Sequence, residues 1–255
     1  MKCLIIAAGQ GTRLRSIAPS KPLARVAGRP LIEHVLDAAA AGGATEFIVV
    51  TGYEPEPLEA FLGSLAERSG LAIRIVRNEE WARPNGVSVL AAAPRLGSEF
   101  ILLMSDHLFD PEILSDMIAA DRNGAALTLG ADRAVDNPLL DLDDATKIEV
   151  GEGGRILRIG KTLQHYDAID TGIFIATSEL LEALRASLAA GGTGSLSEGV
   201  QALADSGRAF TRDIGGRWWL DVDDEAAFAK AEAALTSRGD GQVPSSAEIP
   251  RSPST

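Results

Sequence analysis

The first 23 residues, MKCLIIAAGQGTRLRSIAPSKPL, decide the fold of this chain. Residues 3–8 form an apolar run typical of a buried strand, and a glycine-containing turn follows it directly. A strand that ends in a turn of small residues leaves backbone N–H groups free to point at an anion. Gly9 and Gly11 can take backbone angles that other residues resist. Arg13 and Lys21 would then supply positive charge to a polyphosphate.

Two well-known glycine motifs do not match this stretch. The dinucleotide fingerprint requires a third glycine where this chain has Leu14. The P-loop requires Gly-Lys-Ser/Thr, which the residues from Gly11 to Arg13 do not provide. A Gly-x-Gly tripeptide after a strand, taken alone, is equally consistent with a tight structural turn.

The composition predicts a single large α/β domain. A chain of 255 residues, 45% of them hydrophobic, can bury a sizeable core. We expect one domain at residues 1–236, with two halves at 1–123 and 124–236. The Ser-, Pro- and Gly-rich tail at 237–255 lacks periodicity and is expected to be disordered.

Charge and cysteine content exclude several classes of protein. The net charge of −12 argues against nucleic acid as a partner, because such binding depends on basic surface. The single cysteine excludes an internal disulfide framework and a cysteine metal cluster. No apolar run approaches the ~20 residues of a membrane helix, and glycine interrupts the N-terminal run too early for a signal peptide. We therefore expect a cytoplasmic protein that is not embedded in a membrane.

Short apolar strands alternate with helices in the first half. The predicted strands are residues 3–8, 47–51, 71–76 and 100–104, and the predicted helices are 29–41, 56–68, 87–93 and 112–121. Such alternation predicts a parallel sheet covered on both faces, with ligands beyond the carboxyl ends of its strands. The glycine loop, the loop at Asn85 and Gly86, and Asp106 all fall at that edge. Their convergence predicts one composite site.

The pattern changes after residue 124. We expect strands at residues 125–131, 168–177 and 208–214, a hairpin formed by 147–150 and 156–159, and helices at 178–189, 197–205 and 224–235.

Aspartates supply the candidate metal ligands. Asp106 directly follows an apolar strand, where a carboxylate can hold Mg²⁺ or, alternatively, cap a helix or a turn. Asp221 and Asp223 follow a second strand-like segment, and one or both could meet Asp106 around the same ion. His107 could support such a metal site or simply pack. The sequence offers no credible Ser-His-Asp or Cys-His arrangement.

The string AAGQGTRL at residues 7–14, followed by KPL at 21–23, resembles the opening of the nucleotidyltransferases that activate sugar phosphates and similar phosphomonoesters. The resemblance implies a Rossmann-like three-layer αβα fold with a mixed, mostly parallel central sheet and a small β-hairpin excursion. It makes residues 1–123 the nucleotide-binding half and residues 124–236 the acceptor-binding half. The implied nucleotide-binding residues are Ala7, Ala8, Gly9, Gly11, Thr12, Arg13, Lys21, Asn85, Gly86, Ser88 and Asp106.

The same resemblance implies a reaction without an enzyme nucleophile. An acceptor phosphate oxygen attacks the α-phosphorus of the nucleotide, and pyrophosphate leaves. Arg13, Lys21 and Asp106 form the implied catalytic set, with Mg²⁺ held by Asp106 and by Asp221, Asp223 or both. Asn85 has two readings that are compatible, a contact to the base or ribose and an N-cap of the following helix.

Five further segments resemble the cytidylyltransferase domains that act on myo-inositol 1-phosphate, namely residues 105–109, 137–139, 145–147, 159–161 and 166–174. This narrower resemblance implies CTP and inositol 1-phosphate as substrates and CDP-inositol as product. The implied acceptor-binding residues are Lys147, Lys161, Asp170, Thr171 and Gly172. In that group the domain is often fused to a membrane transferase, so we expect a separate membrane partner here or a different acceptor. A homodimer is left open.

Three alternatives stay open on the sequence alone. A cytidylyltransferase for phosphocholine or 2-aminoethylphosphonate would use an aromatic or acidic cage, for which Trp81, Trp218 and Trp219 are candidates. A sugar-1-phosphate nucleotidyltransferase would share the glycine loop. A non-catalytic nucleotide-binding protein would have lost one of the three implied catalytic residues, and none is lost.

Overall fold

The structure is a computed structural model that describes residues 1–136 and 141–239. The segment 137–139, which contributes to the narrower resemblance, lies outside the described residues. So do residues 240–255, which make up most of the predicted tail.

The elements follow the predicted alternation. The strands are β1 (Lys2–Ala7), β2 (Arg25–Val26), β3 (Arg29–Pro30), β4 (Glu46–Thr51), β5 (Ile73–Arg77), β6 (Glu99–Met104), β7 (His107–Phe109), β8 (Leu127–Asp132), β9 (Lys147–Val150), β10 (Ile156–Gly160), β11 (Ala168–Thr177), β12 (Ala209–Asp213) and β13 (Trp219–Asp221). The helices are α1 (Leu31–Ala41), α2 (Glu56–Ser69), α3 (Gly86–Ala92), α4 (Pro111–Ala119), α5 (Ser178–Ala189), α6 (Leu196–Asp205) and α7 (Glu225–Gly239).

The central sheet is mixed, as predicted. Strands β5, β4, β1 and β6 lie side by side and run parallel, and β11 joins β6 in antiparallel direction. Beyond β11 the sheet continues through β8 to β12 and through β9 to β10, where β9 and β10 form the predicted hairpin. Because β11 runs against β6, the start of β11 lies at the carboxyl end of β6. The antiparallel strand therefore brings residues 170–172 to the ligand edge of the parallel strands.

Successive residues of the central strands enter two separate hydrophobic cores. In β1, Cys3 and Ile5 belong to one core, whereas Leu4 and Ile6 belong to the other. Helices α1, α2, α4 and α7 contribute to the first core, and helices α3, α5 and α6 to the second. Burial on both faces explains why the strands read as continuous apolar runs, and it confirms the predicted three-layer arrangement.

A small antiparallel pair, which the sequence did not reveal, joins the middle of the chain to its end. Strand β7 pairs with β13, and Asp221 lies opposite His107. The amide of Val222 donates to the carbonyl oxygen of Asp106 at 3.0 Å, and the amide of Asp110 donates to that of Trp218 at 2.9 Å. These backbone bonds bring the strand that follows Asp106 against the second acidic segment.

Several boundaries differ from the predicted ones by a few residues, and those of α1 and α7 have a local structural cause. Helix α1 begins at Leu31, because Arg29 and Pro30 pair with β2 across a tight turn in which Ala27 and Gly28 have positive φ angles of 48° and 77°. Helix α7 continues past its predicted end at residue 235. The hydroxyl of Thr236 donates to the Glu232 carbonyl oxygen one turn earlier, so this polar residue is accommodated within the helix.

Candidate active site

The glycine loop lies at the carboxyl end of β1 and packs against Lys21. Gly11 has φ +59°, and a Cβ atom there would lie 2.4 Å from the Cβ of Lys21, so the loop needs glycine at this position. The amide groups of Gly9, Gln10 and Gly11 form no hydrogen bond with another described residue. Free amides beside an ammonium group suit an anionic ligand.

Lys21 lies between two carboxylates. Its side chain is only 9% exposed, and its Nζ lies 2.5 Å from Oδ2 of Asp106 and pairs also with Asp223. Burial by itself lowers the pKa of Lys21, but Asp106, Asp223 and Asp221 raise it above its ordinary value. Burial acts to raise the pKa of Asp106, and Lys21 and His107 bring it below its ordinary value. Lys21 and Asp106 therefore form a charged pair inside the site.

Arg13 extends this ion-pair network toward the second half of the chain. Its guanidinium pairs with Asp223 and, at 2.7 Å, with Asp144. Asp144 also pairs with Lys161. The hydrogen bond to Lys161, which has the larger effect, and the one to Arg13 hold the pKa of the Asp144 carboxyl well below its usual range. Oppositely charged groups thus alternate across the mouth of the site, from the glycine loop to the β9–β10 hairpin.

His107 and two aspartates form a compact polar group. The Nδ1 atom of His107 lies 2.7 Å from the carbonyl oxygen of Thr171, and Nε2 lies 3.5 Å from Oδ2 of Asp221 and 3.8 Å from Oδ1 of Asp106. Burial alone lowers the pKa of His107, but Asp221 and Asp106 raise it to about 10. This position therefore favours a positive charge.

The same group has the donors of a divalent metal site. One ligand atom each from Asp106, His107 and Asp221 lies within 4.8 Å of the others. Oδ1 of Asp221 is buried and has no hydrogen-bond partner among the described residues. A metal ion would satisfy this oxygen, so the residues present fit such an ion. Asp223 differs, because both of its carboxylate oxygens already pair with a cation, Oδ1 with Lys21 and Oδ2 with Arg13. In Asp106 only Oδ2 pairs with Lys21, and Oδ1 faces His107.

Two cavities meet at the centre of the site. A cavity of about 490 Å³ lies toward the second half of the chain, and one of about 340 Å³ lies at the glycine loop. Asn85, Met104, Asp106 and Asp223 line both. A group bound in one cavity could therefore react with a group bound in the other at Asp106.

The smaller cavity collects most of the predicted nucleotide-binding residues. Its lining includes Ala7, Gly9, Gly11, Thr12, Arg13, Lys21, Asn85, Ser88 and Asp106. Ala8 does not line it, and the carbonyl oxygen of Ala8 accepts from the Tyr53 amide at 3.0 Å. Gly86 does not line it either. A Cβ atom at Gly86 would lie 2.5 Å from the Gly194 carbonyl oxygen, so this glycine allows close packing of α3.

Asn85 connects the two halves of the protein. It occupies the N-cap position of α3, but its side chain forms no capping bond there. Instead, Oδ1 of Asn85 accepts a hydrogen bond from the Leu196 amide, at 2.9 Å, at the start of α6. The predicted N-cap contact to α3 is therefore replaced by a contact to a different helix.

Three of the five predicted acceptor-binding residues line the larger cavity, and two do not. Lys161, Asp170 and Gly172 line it, and burial raises the pKa of Asp170 to about 6. Thr171 is fully buried, and its hydroxyl donates to the Gly130 carbonyl oxygen at 2.7 Å. Lys147 donates to the carbonyl oxygen of Lys161 at 3.0 Å. The side chains of Thr171 and Lys147 thus bond to backbone carbonyl oxygens and lie outside the lining of the cavity.

The cavities also contain residues that sequence reasoning did not assign to the site. Trp81 and Arg83 line the smaller cavity, whereas the sequence suggests Trp81 only for a cage around a cationic acceptor. Asp144, Ser197 and Lys230 line the larger cavity. For Trp81 and Arg83, their position in the loop after β5, at the ligand edge of the sheet, could have indicated a place in the site. The other three lie in segments far apart in the chain, and no motif marked them.

The comparisons with known proteins agree with this arrangement. Residues 3–203 match the family model of the MobA-like NTP transferase domain. The bifunctional IPC transferase and DIPP synthase of Rubrobacter xylanophilus is 37% identical over 224 residues, which cover 86% of this chain and 48% of the relative. The protein of the same name from Archaeoglobus fulgidus is 32% identical over 248 residues, 95% of this chain and 46% of the relative. The chain thus spans about half the length of these curated relatives.

A solved structure also matches nearly the whole chain. The inositol-1-phosphate CTP transferase from T. maritima superposes with a TM-score of 0.82 at 25% identity, covering 95% of this chain and 97% of that one. Within the described residues, no helix combines the length and the apolar character needed to cross a bilayer. Since the family model covers most of the sequence, this chain belongs to the MobA-like NTP transferase family and is a nucleotidyltransferase, as its opening residues predicted.

Proposed function

We propose that this protein transfers a cytidylyl group from CTP to inositol 1-phosphate and releases pyrophosphate. The observation that carries the proposal is the meeting of two cavities at Asp106 and Asp223, beside Lys21. The match to the T. maritima inositol-1-phosphate CTP transferase supports the choice of both substrates.

In this proposal the smaller cavity binds the nucleotide. The free amides of the glycine loop, Arg13 and Lys21 bind the triphosphate, and they stabilise the charge that develops on the leaving pyrophosphate. Arg13 must exchange its pairing with Asp223 for the phosphates when the nucleotide binds. Trp81 and Arg83 line the part of this cavity nearest the loop that follows β5, and they are our candidates for contacts to the base or ribose.

The larger cavity binds the acceptor. Lys161 and Lys230 line it and would bind the acceptor phosphate. Carboxylates such as Asp170 would accept hydrogen bonds from the hydroxyl groups of a polyol. An oxygen of the acceptor phosphate then attacks the α-phosphorus, the bond from that phosphorus to the oxygen bridging to the β-phosphate breaks, and pyrophosphate leaves.

A divalent ion completes the proposed site. Asp106 and Asp221 would hold it, with Asp223 close to the same phosphates. A bound Mg²⁺ neutralises phosphate charge and fixes the geometry for in-line attack. Lys21 positions Asp106 through their direct ion pair, so it also has an indirect role in metal binding. We further propose that a membrane transferase uses the product. The homodimer stays a prediction.

The test measures pyrophosphate release with Mg²⁺ and each of the four nucleoside triphosphates. Each nucleotide is combined with inositol 1-phosphate, glucose 1-phosphate, phosphocholine or 2-aminoethylphosphonate. We expect release with CTP and inositol 1-phosphate. Release with a different pair would overturn the proposed substrates but not the nucleotidyltransferase chemistry. Absence of release with every pair, together with tight CTP binding, would instead favour a nucleotide-binding protein without activity.

The aromatic residues favour the polyol acceptor over a quaternary ammonium one. Trp219 lines the larger cavity, and its indole N–H donates to Oδ2 of Asp132 at 2.9 Å. Trp81 lines the smaller cavity, and Trp218 is not part of the lining of either. The three tryptophans therefore do not converge on one cavity as an aromatic cage would require.

A further inference from the structure

We propose that His107 is a direct metal ligand through Nε2, so that the metal site has one nitrogen and two carboxylate donors. The proposal deepens the proposed function, because the metal is the one that the reaction would use. It goes beyond the site that the sequence predicts, in which aspartates alone (Asp106 with Asp221, Asp223 or both) hold the metal.

The orientation of the His107 imidazole is the first observation that supports the proposal. A carbonyl oxygen can only accept, so the contact of Thr171 with Nδ1 of His107, at 2.7 Å, requires Nδ1 to donate its hydrogen. The other ring nitrogen, Nε2, faces Oδ2 of Asp221 and Oδ1 of Asp106. A metal ion bound there would displace the proton that these carboxylates favour on Nε2, and it would bind the lone pair that the proton leaves. A backbone carbonyl that fixes the tautomer in this way is the usual support of a metal-binding histidine.

The backbone around His107 is built to hold the ring in place. Gly172 has φ +74°, and a Cβ atom there would lie 2.3 Å from Nδ1 of His107. No residue with a side chain fits at this position while the ring keeps its orientation. The β7–β13 pairing holds Asp221 opposite His107, so the backbone sets both sides of the site.

The second observation that supports the proposal is a buried carboxylate oxygen without a hydrogen-bond partner. Oδ1 of Asp221 is buried without a hydrogen-bond partner among the described residues, although it belongs to a carboxylate beside the ring. Oδ2 of Asp106 is used by Lys21, which leaves Oδ1 facing the histidine. Two carboxylates and one imidazole, with their donor atoms within 4.8 Å, can share one divalent ion.

The nitrogen donor has a consequence for metal choice. Mg²⁺ prefers oxygen ligands, whereas imidazole suits first-row transition metals, whose affinity rises from Mn²⁺ to Co²⁺ and beyond. We therefore expect the site to bind Mn²⁺ or Co²⁺ more tightly than Mg²⁺.

The experiment uses Mn²⁺ alone, without nucleotide, on the full chain. Pulsed electron paramagnetic resonance detects a directly bound nitrogen as ¹⁴N modulation, and titration of the free Mn²⁺ signal gives the dissociation constant. The chain has three histidines, so His34→Asn and His165→Asn are matched controls. We expect ¹⁴N coupling in the unmodified protein and both controls, and its loss in His107→Asn. In that variant the Mn²⁺ dissociation constant should rise by about tenfold or more, and the preference for Mn²⁺ over Mg²⁺ should narrow.

A second measurement uses no variant, so its result does not depend on whether His107→Asn folds. In the unmodified protein labelled with ¹⁵N-histidine, the ¹⁴N modulation should be replaced by ¹⁵N modulation. Bound Mn²⁺ without nitrogen coupling, or no specific Mn²⁺ binding, would overturn the inference while leaving the pyrophosphate assay to judge the proposed function. Conversely, nitrogen coupling without pyrophosphate release from any substrate pair would support the metal site and contradict the proposed reaction.

Discussion

One continuous stretch, from Ile6 to Pro22, supplies half of the residues that line the smaller cavity, whereas the larger cavity is lined by segments scattered between Asn85 and Lys230. Their charges differ as well. Arg13, Lys21 and Arg83 line the smaller cavity, and aspartates outnumber lysines in the larger one. The first arrangement suits an anionic triphosphate, and the second suits hydroxyl groups together with a single phosphate.

The two regions also reach their shape by different means. The glycine loop depends on backbone conformation, since Gly11 allows close contact with Lys21. The acceptor side depends on bonds between distant segments, such as the β7–β13 pairing and the Asn85–Leu196 bond. A substitution in the first region should therefore affect chemistry locally, whereas one in the second should affect both shape and binding.

The largest effect is expected where the two cavities meet. Asp106→Asn removes the carboxylate that pairs with Lys21 and faces His107, while keeping the size of the side chain. We expect kcat to fall by roughly 10³-fold or more, because a charged group at the reacting centre is lost. Steady-state pyrophosphate release measures this effect, and urea unfolding reports on whether the fold is intact.

The matched control is Asp37→Asn, which changes an exposed aspartate on α1 that pairs with Arg29. Such a surface pair contributes about 1 kcal/mol or less, so activity should stay at the unmodified level. Near-normal turnover in Asp106→Asn would break the comparison, because the chemistry would then not occur at the junction of the cavities.

The same contrast explains how much the sequence could predict. The strand, the loop and the two cations of the nucleotide side lie within 23 residues, so one motif predicted where they converge. The proximity of Asp106 and Asp221 needed the β7–β13 pairing, whose two strands have three residues each and no turn of their own between them. Lys147 does not line the larger cavity, and a hairpin position does not tell which partner a long side chain will choose. Burial of Thr171 depended on β8 packing beside β11, which is a tertiary fact.

A smaller effect should follow from loosening the bond that joins the two regions. Asn85→Ala leaves the Leu196 amide without its acceptor, which should lower the free energy of unfolding by about 1–2 kcal/mol. Because Asn85 lines both cavities, the KM values for nucleotide and acceptor should both rise, each by about tenfold if ~1.4 kcal/mol of binding is lost. Urea unfolding and initial-rate kinetics with each substrate varied in turn provide the two measurements.

Asn85→Asp is the conservative partner of this variant, since it keeps an oxygen that can accept from Leu196. It should retain the free energy of unfolding that Asn85→Ala loses. If Asn85→Ala instead raised only the nucleotide KM and left stability unchanged, Asn85 would belong to the smaller cavity alone and would not connect the two regions.

The smallest expected effect is a pH dependence of the free energy of unfolding, which Glu198 should cause on the acceptor side. Glu198 holds the loop before α6, where its carboxylate accepts from the amides of Thr193 and Gly194 at 3.0 Å each and from the Ser187 hydroxyl at 3.0 Å. These bonds, led by the Thr193 amide, lower the pKa of Glu198 to about 2. Since folding lowers this pKa, the ionised carboxylate stabilises the fold above its unfolded value of about 4.3, and the contribution is lost as the pH falls toward 2. Glu198→Gln should therefore cost about 1 kcal/mol at pH 7 and progressively less below pH ~4.

Urea unfolding of both proteins between pH 7 and pH 3 measures this difference, and Glu182→Gln, an exposed change on α5, serves as the control with no expected effect. The backbone of the glycine loop carries no titratable group, so CTP binding should not follow the same pH dependence. A Glu198→Gln deficit that stayed constant down to pH 3 would mean that the carboxylate charge does not hold the loop. The acceptor side would then owe its shape, like the nucleotide side, to backbone packing such as the close approach of Gly86 to Gly194.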